Sequence, residues 1–195
     1  MAIRKFSASS LTNANSKSSK LWDQETTLGT FESIATATVD SGGASVITFN
    51  NIPSNYTHLQ VRGIIRGNTQ EVVRVYLNND SGANWSQHIL YSGGGGAFGV
   101  SGTASTGFYL TRTVGVSTGA SIFTTFILDI LDYSNTTKYK TAQHVYGWDA
   151  NGSGYVGLES AAWMNTAAVT RLDLTPNSFS FQQYSHVSLY GIRGA

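Results

Sequence analysis

From Phe31 onward, apolar and polar residues alternate with a period of two, and turn-forming clusters break the alternation at roughly ten-residue intervals. Successive side chains of a strand point to opposite faces. The stretch from His58 to Arg66 therefore places Leu59, Val61 and Ile65 on one face and His58, Gln60, Arg62 and Arg66 on the other. Similar short strands are predicted at Ile34–Val39, Ser45–Phe49, Val72–Leu77, Trp85–Tyr91, Ser121–Tyr133, Tyr139–Trp148, Tyr155–Met164, Val169–Thr175 and His186–Ile192. About ten strands exceed the ~5 to 6 of a usual sheet, which predicts two packed sheets. Asp40-Ser41-Gly42-Gly43, Asn78-Asn79-Asp80-Ser81-Gly82 and Asp149-Ala150-Asn151-Gly152-Ser153-Gly154 supply residues that tolerate positive φ, as hairpin ends require. No window has apolar residues at i, i+3, i+4 and i+7, so little helix is expected. The expected fold is an all-β antiparallel sandwich. Residues 92–107 hold seven glycines and few apolar anchors and are expected to form one long loop.

The segment Ser121–Tyr133 breaks the one-sided pattern. As a single strand it would carry Ile122, Phe126, Leu128 and Ile130 on one face and Phe123, Ile127, Leu131 and Tyr133 on the other. A sandwich strand buries one face only, and a large exposed apolar patch usually marks an interaction site. An identical subunit, the N-terminal stretch or a long loop could cover the second face. A homo-oligomer with Phe123, Ile127, Leu131 and Tyr133 at its interface is the favoured expectation.

Charge divides the chain. Residues 1–22 carry Arg4, Lys5, Lys17 and Lys20 and no acid, whereas the remainder has eight basic and eleven acidic residues. Between Ser7 and Lys20 the sequence is mostly Ser, Asn and Lys, which offers little surface to bury. Residues 1–30 are therefore expected to form an extended arm, with Ile3, Phe6, Leu11, Leu21 and Trp22 as isolated anchors, or else a disordered tail, ahead of a domain at 31–195. No apolar run nears the ~20 residues of a membrane helix. Met1–Phe6 leads into polar residues rather than a signal-peptide core, so neither membrane insertion nor secretion by signal is expected.

Composition narrows the chemistry. The absence of Cys excludes thiolate catalysis, Cys-ligated zinc and iron–sulfur clusters. The chain contains no Gly-x-Ser-x-Gly elbow and no phosphate-loop pattern. His58, His88, His144 and His186 are isolated from one another and read as surface or hydrogen-bonded strand residues before they read as metal ligands. The turns Asn78–Gly82 and Asp149–Gly154 cluster oxygen ligands but lack the closing bidentate Glu of a calcium loop. Glu159, Asp149 and Asp173 lie in strand-like stretches, yet no clustered carboxylate pair of the glycosidase kind is visible. No enzyme activity and no cofactor are expected. Trp85, Trp148 and Trp163 could offer flat faces to a glycan, although two of the three are expected in the core. Nucleic-acid binding is not expected, because only the arm is basic. Five Asn-x-Ser/Thr sequons, at Asn55, Asn79, Asn84, Asn135 and Asn151, read as Asn-rich turns.

Three stretches together carry a resemblance: Ile47–Gly63 (ITFNNIPSNYTHLQVRG), Val75–Ser86 (VYLNNDSGANWS) and Val187–Ile192 (VSLYGI). They resemble the virion structural β-sandwich proteins of tailed bacteriophages, a group that includes capsid-decoration (cement) proteins and parts of head or tail fibres. The resemblance spans Phe31 to Ala195 and rests on strand and turn patterns; the arm is outside it. It implies a jelly-roll-like sandwich, often trimeric, made in the host cytoplasm and located on the capsid surface of the virion. Its partners would be further copies of itself and the major capsid protein. The arm residues Arg4, Lys5, Phe6, Lys17 and Lys20 would anchor it to the shell. A fibre or spike module that binds a host-surface glycan is the alternative.

Overall fold

The computed structural model describes residues 30–194. Among these there is no helix. Thirteen strands are formed: β1 Phe31–Thr38, β2 Ile47–Phe49, β3 His58–Gly67, β4 Val72–Leu77, β5 Trp85–Ser92, β6 Ala97–Ser105, β7 Phe108–Arg112, β8 Val114–Gly115, β9 Thr124–Leu131, β10 Lys140–Asp149, β11 Gly154–Trp163, β12 Leu172–Pro176 and β13 His186–Ile192. They make two sheets. The larger runs β1-β13-β3-β9-β10-β11-β5-β6, with β8 beside β3, and the smaller runs β2-β12-β4-β7. All pairings are antiparallel except the short β3–β8 contact.

The core lies between the sheets and follows the period-two pattern. Leu59, Val61 and Ile65 of β3, Phe126, Leu128 and Ile130 of β9, and Val187 and Leu189 of β13 face Val73, Val75 and Leu77 of β4 and Leu172 and Leu174 of β12. Trp85 and Trp163 sit opposite one another on β5 and β11, stacked at 5.6 Å and fully buried. Hairpins close as the turn residues require. Asn78 and Asn79 both have positive φ after β4, and Asn151-Gly152 turns β10 into β11 with φ of 56° and 96°, the two-residue geometry that Asn-Gly favours.

Asp80 ties the first of these turns to the core. Its carboxylate accepts hydrogen bonds from the Gly82 N–H (2.9 Å), the Asn84 side-chain amide (2.8 Å) and the buried Trp163 indole N–H (2.7 Å). Partial burial pushes the carboxyl pKa up, but these bonds outweigh it and hold the group below its ordinary value. Asp80→Ala is expected to destabilise the fold by about 2 kcal/mol, because it strands the indole N–H in the core. A chemical-denaturation midpoint unchanged from the parent would contradict this role.

Two expectations fail here. Residues 92–107 are not one loop: Gly93–Gly96 and Thr106–Gly107 turn, and β6 runs between them as a nine-residue strand. Phe98 and Val100 alternate with Gly99 and Ser101, so the period-two signal was present but diluted by glycine. Tyr133 also leaves its expected face. β9 ends at Leu131, and Asp132 takes a left-handed φ of 48°, which breaks the alternation. Tyr133 is consequently fully buried in the core, where its hydroxyl donates to the Pro53 carbonyl.

Candidate functional site

The four-stranded sheet covers one face of the large sheet, and no described residue covers the other. On that outer face the register aligns four aliphatic side chains. Ile127 of β9 pairs with Val145 of β10, Val145 with Leu158 of β11, and Leu158 with Leu90 of β5. They are 38%, 46%, 55% and 53% exposed respectively. With strands ~4.8 Å apart, the row extends about 14 Å across the sheet. Val156, equally exposed, lies beside it on β11.

The next row across the same strands is polar. Gln60, Asp129, Gln143, Ser160 and His88 stand opposite one another in sequence from β3 to β5. Gln60 donates to Asp129 (2.7 Å) and accepts from Arg62 (2.6 Å), so the two opposite charges of this region are linked through one amide. The face therefore combines an aliphatic band with a hydrogen-bonding band and little net charge, a composition suited to contact with another protein surface.

Of the predicted interface residues, Ile127 belongs to the aliphatic row. Leu131 is exposed on the same face, two rows further along β9, beyond the polar row. Phe123 precedes β9 and is half-buried, with the Arg66 guanidinium 5.4 Å above its ring. Tyr133 is in the core. Val145, Leu158 and Leu90 were missed: each sits in a predicted strand, but only cross-strand register shows that they line up with Ile127. The arm residues Arg4, Lys5, Phe6, Lys17 and Lys20 lie outside the described residues.

The polar residues singled out for chemistry are dispersed. Asp149 is exposed at the end of β10, Asp173 is held in the small sheet by Arg171 (2.7 Å) and Thr48 (2.6 Å), and Glu159 points into the interior. Among the described residues no group of three or more His, Asp or Glu could hold a metal ion. The two oxygen-rich turns use their carboxylates internally, Asp80 as above and Asp149 as acceptor from the Asn151 N–H (2.8 Å). His58 accepts from the Asp132 N–H (3.0 Å) and His186 bonds Thr38 (2.9 Å), while His88 is exposed.

His144 departs from the expected surface role. It pairs in register with Glu159 inside the sandwich; their nearest atoms are 3.6 Å apart, and neither side chain is exposed or hydrogen-bonded. Desolvation by burial pushes the Glu159 carboxyl up to about 9 and the His144 imidazole down to about 3. Both are thus neutral near pH 7. Tyr146 stacks on His144 at 5.5 Å, and its ring occupies the space left by Gly157.

Tyrosines continue this inner face to the open end of the sandwich. Tyr91, Tyr155 and Tyr146 form a continuous stack with centroid spacings of 5.4 and 6.1 Å. A cleft of about 210 Å³ opens there, lined by these rings with Tyr109, Arg112 and Val100. Trp85 and Trp163 are core residues, as expected of two of the three tryptophans, and Trp148 is half-buried near the β10–β11 turn. Comparisons with protein-family models, curated proteins and solved structures give no match.

Proposed function

We propose that this chain is a non-enzymatic virion structural protein of a tailed bacteriophage, a capsid-decoration protein that stabilises the outside of the head as an oligomer. The observation that carries this reading is the aliphatic row Ile127–Val145–Leu158–Leu90 on the uncovered face of the large sheet. The resemblance of Ile47–Gly63, Val75–Ser86 and Val187–Ile192 to virion sandwich proteins supplies the setting.

Copies of the same chain are the occupants of that face. Its centre is aliphatic, and its principal opposite charges, Arg62 and Asp129, are linked through Gln60, so like faces meet without strong repulsion. In this reading Arg4, Lys5, Phe6, Lys17 and Lys20 of the basic N-terminal stretch bind the major capsid protein. A glycan-binding fibre module draws less support. Two tryptophans are committed to the core, and the cleft tyrosines spend their ring faces on one another, leaving edges and hydroxyls for a ligand.

The test is the solution mass of the full chain and of Leu158→Asp, measured by light scattering. The parent is expected as an oligomer. The variant is expected to dissociate at least tenfold more readily, because a carboxylate at the centre of a buried apolar band costs well over 1 kcal/mol per copy. A monomeric parent, or a variant of unchanged mass and dissociation constant, contradicts the interface.

A further inference from the structure

Besides the two-residue β8, which pairs only with β3, four strands have one free side: β1 and β6 in the large sheet, β2 and β7 in the small one. Free strand edges pair readily with other chains, and natural sheets protect them by shortness, bulges, charge or cover. Three of the four edges are protected in this way. β2 has three residues, and β1 carries Glu32 and a register shift between Ser33 and Ala35. β7 bends its free side onto the large sheet, where the Tyr109 N–H donates to Gln87 (3.0 Å) and the Arg112 carbonyl accepts from Thr124 (3.3 Å).

β6 is the least protected of the four. Its nine residues contain no charge and no proline, and Ala97–Gly102 pair regularly with β5, the single irregularity lying beyond Gly102. Among the described residues its outer backbone groups find no hydrogen-bond partner. Phe98 and Val100 stand opposite Tyr91 and Ile89 on the face turned toward the sandwich interior, yet each remains about half exposed, because β6 is the outermost strand.

We propose that β6 pairs antiparallel with β6 of a second copy, about a two-fold axis that passes through the sheet at Gly99. An antiparallel edge is complementary to itself under such an axis, so both copies use the same residues. The pairing satisfies the free backbone groups and sets Phe98 and Val100 of each copy beside those of the other. It also aligns the outer faces. Gly99 stands opposite Leu90, and an axis there joins two Ile127–Val145–Leu158–Leu90 rows end to end into one apolar band of twice the length. This last point rests on the proposed use of the outer face; the edge pairing itself does not.

The absence of cysteine makes the geometry directly measurable. Gly99 has open space where a side chain would project, and Ala97 and Ser101 are exposed on the same face. In the full chain, Gly99→Cys is expected to form a disulfide-linked dimer in more than half of the molecules under mild oxidation. Ala97→Cys and Ser101→Cys each alone are expected to link at least fivefold less, and to link with each other when mixed. Gly99→Lys, which places a charge at the edge, is expected to abolish the two-fold contact while leaving the thermal midpoint within a few degrees of the parent. Leu158→Asp combined with Gly99→Cys separates the two interfaces, since loss of the face contact leaves the edge disulfide in place. No link at Gly99→Cys, or equal linking at all three positions as random collision would give, overturns the proposal.

Discussion

Lys140→Met is expected to destabilise the protein by about 3 to 5 kcal/mol, because it removes a buried cation from three carbonyl partners. Lys140 opens β10 with its side chain on the core side and is essentially inaccessible to solvent. Its ammonium donates to the carbonyls of Asn135 (2.5 Å), Lys138 (3.0 Å) and Thr166 (3.0 Å), which uses all three N–H groups. Those carbonyls belong to the β9–β10 and β11–β12 connections, so one side chain fastens two loops at the same end of the sandwich. Burial and the neighbouring Lys138 lower the Lys140 pKa, and Asp132 opposes them. Met keeps the volume of the stem and leaves the carbonyls without that donor. With an m-value of roughly 2 kcal/mol/M in urea, the midpoint should fall by about 1.5 to 2.5 M. A shift below about 0.5 M would mean that water replaces the ammonium at little cost.

Glu159→Gln is expected to do the opposite at alkaline pH. The carboxyl sits at 4.5 ordinarily and about 9 in the fold, so across that interval the unfolded chain releases a proton that the folded chain keeps. Stability falls there by about 1.4 kcal/mol for each unit of rising pH. His144 acts with the reverse sign, since its pKa drops from 6.5 to about 3 and the unfolded chain takes up a proton as pH falls through that range. The two contributions cancel between about pH 4.5 and 6.5 and leave the Glu159 decline uncovered above 6.5. Gln keeps the shape and carries no ionisable proton. The parent should therefore lose about 3 kcal/mol more than Glu159→Gln between pH 6.5 and 9, read from urea unfolding at each pH. Parallel profiles for the two proteins would show that Glu159 does not keep its proton in the fold across this range.

The sandwich was legible because most of its strands obey a strict alternation: Val72–Leu77 and His186–Ile192 coincide with the expected limits and the other predicted strands differ by a few residues at the ends, whereas β7 and β8 have no predicted counterpart. β6 escaped because glycine at 99 and 102 and the run Gly93–Gly96 resemble a loop, although Gly99 and Gly102 are accommodated in an extended strand. Tyr133 was misplaced because a single left-handed residue at Asp132 reverses the parity, and nothing in the local sequence marks that φ. The doubly apolar character of the β9 segment pointed to a second apolar face, on which Ile127 and Leu131 are exposed among the described residues. Its true extent was hidden, because Val145, Leu158 and Leu90 join Ile127 through long-range register that no local pattern encodes. The His144–Glu159 pair was hidden for the same reason: the residues are fifteen positions apart in sequence and adjacent only through the β10–β11 hairpin.

The proposed decoration role, with the outer face and the arm acting in assembly on a viral shell, is tested most directly by co-sedimentation with undecorated capsids from the same source. The full chain is compared with a variant in which Arg4, Lys5, Lys17 and Lys20 are replaced by Gln, and with Leu158→Asp. Saturable binding by the full chain, weakened at least tenfold in both variants and by high salt, is the predicted result. Absence of saturable binding by the full chain would contradict a decoration role.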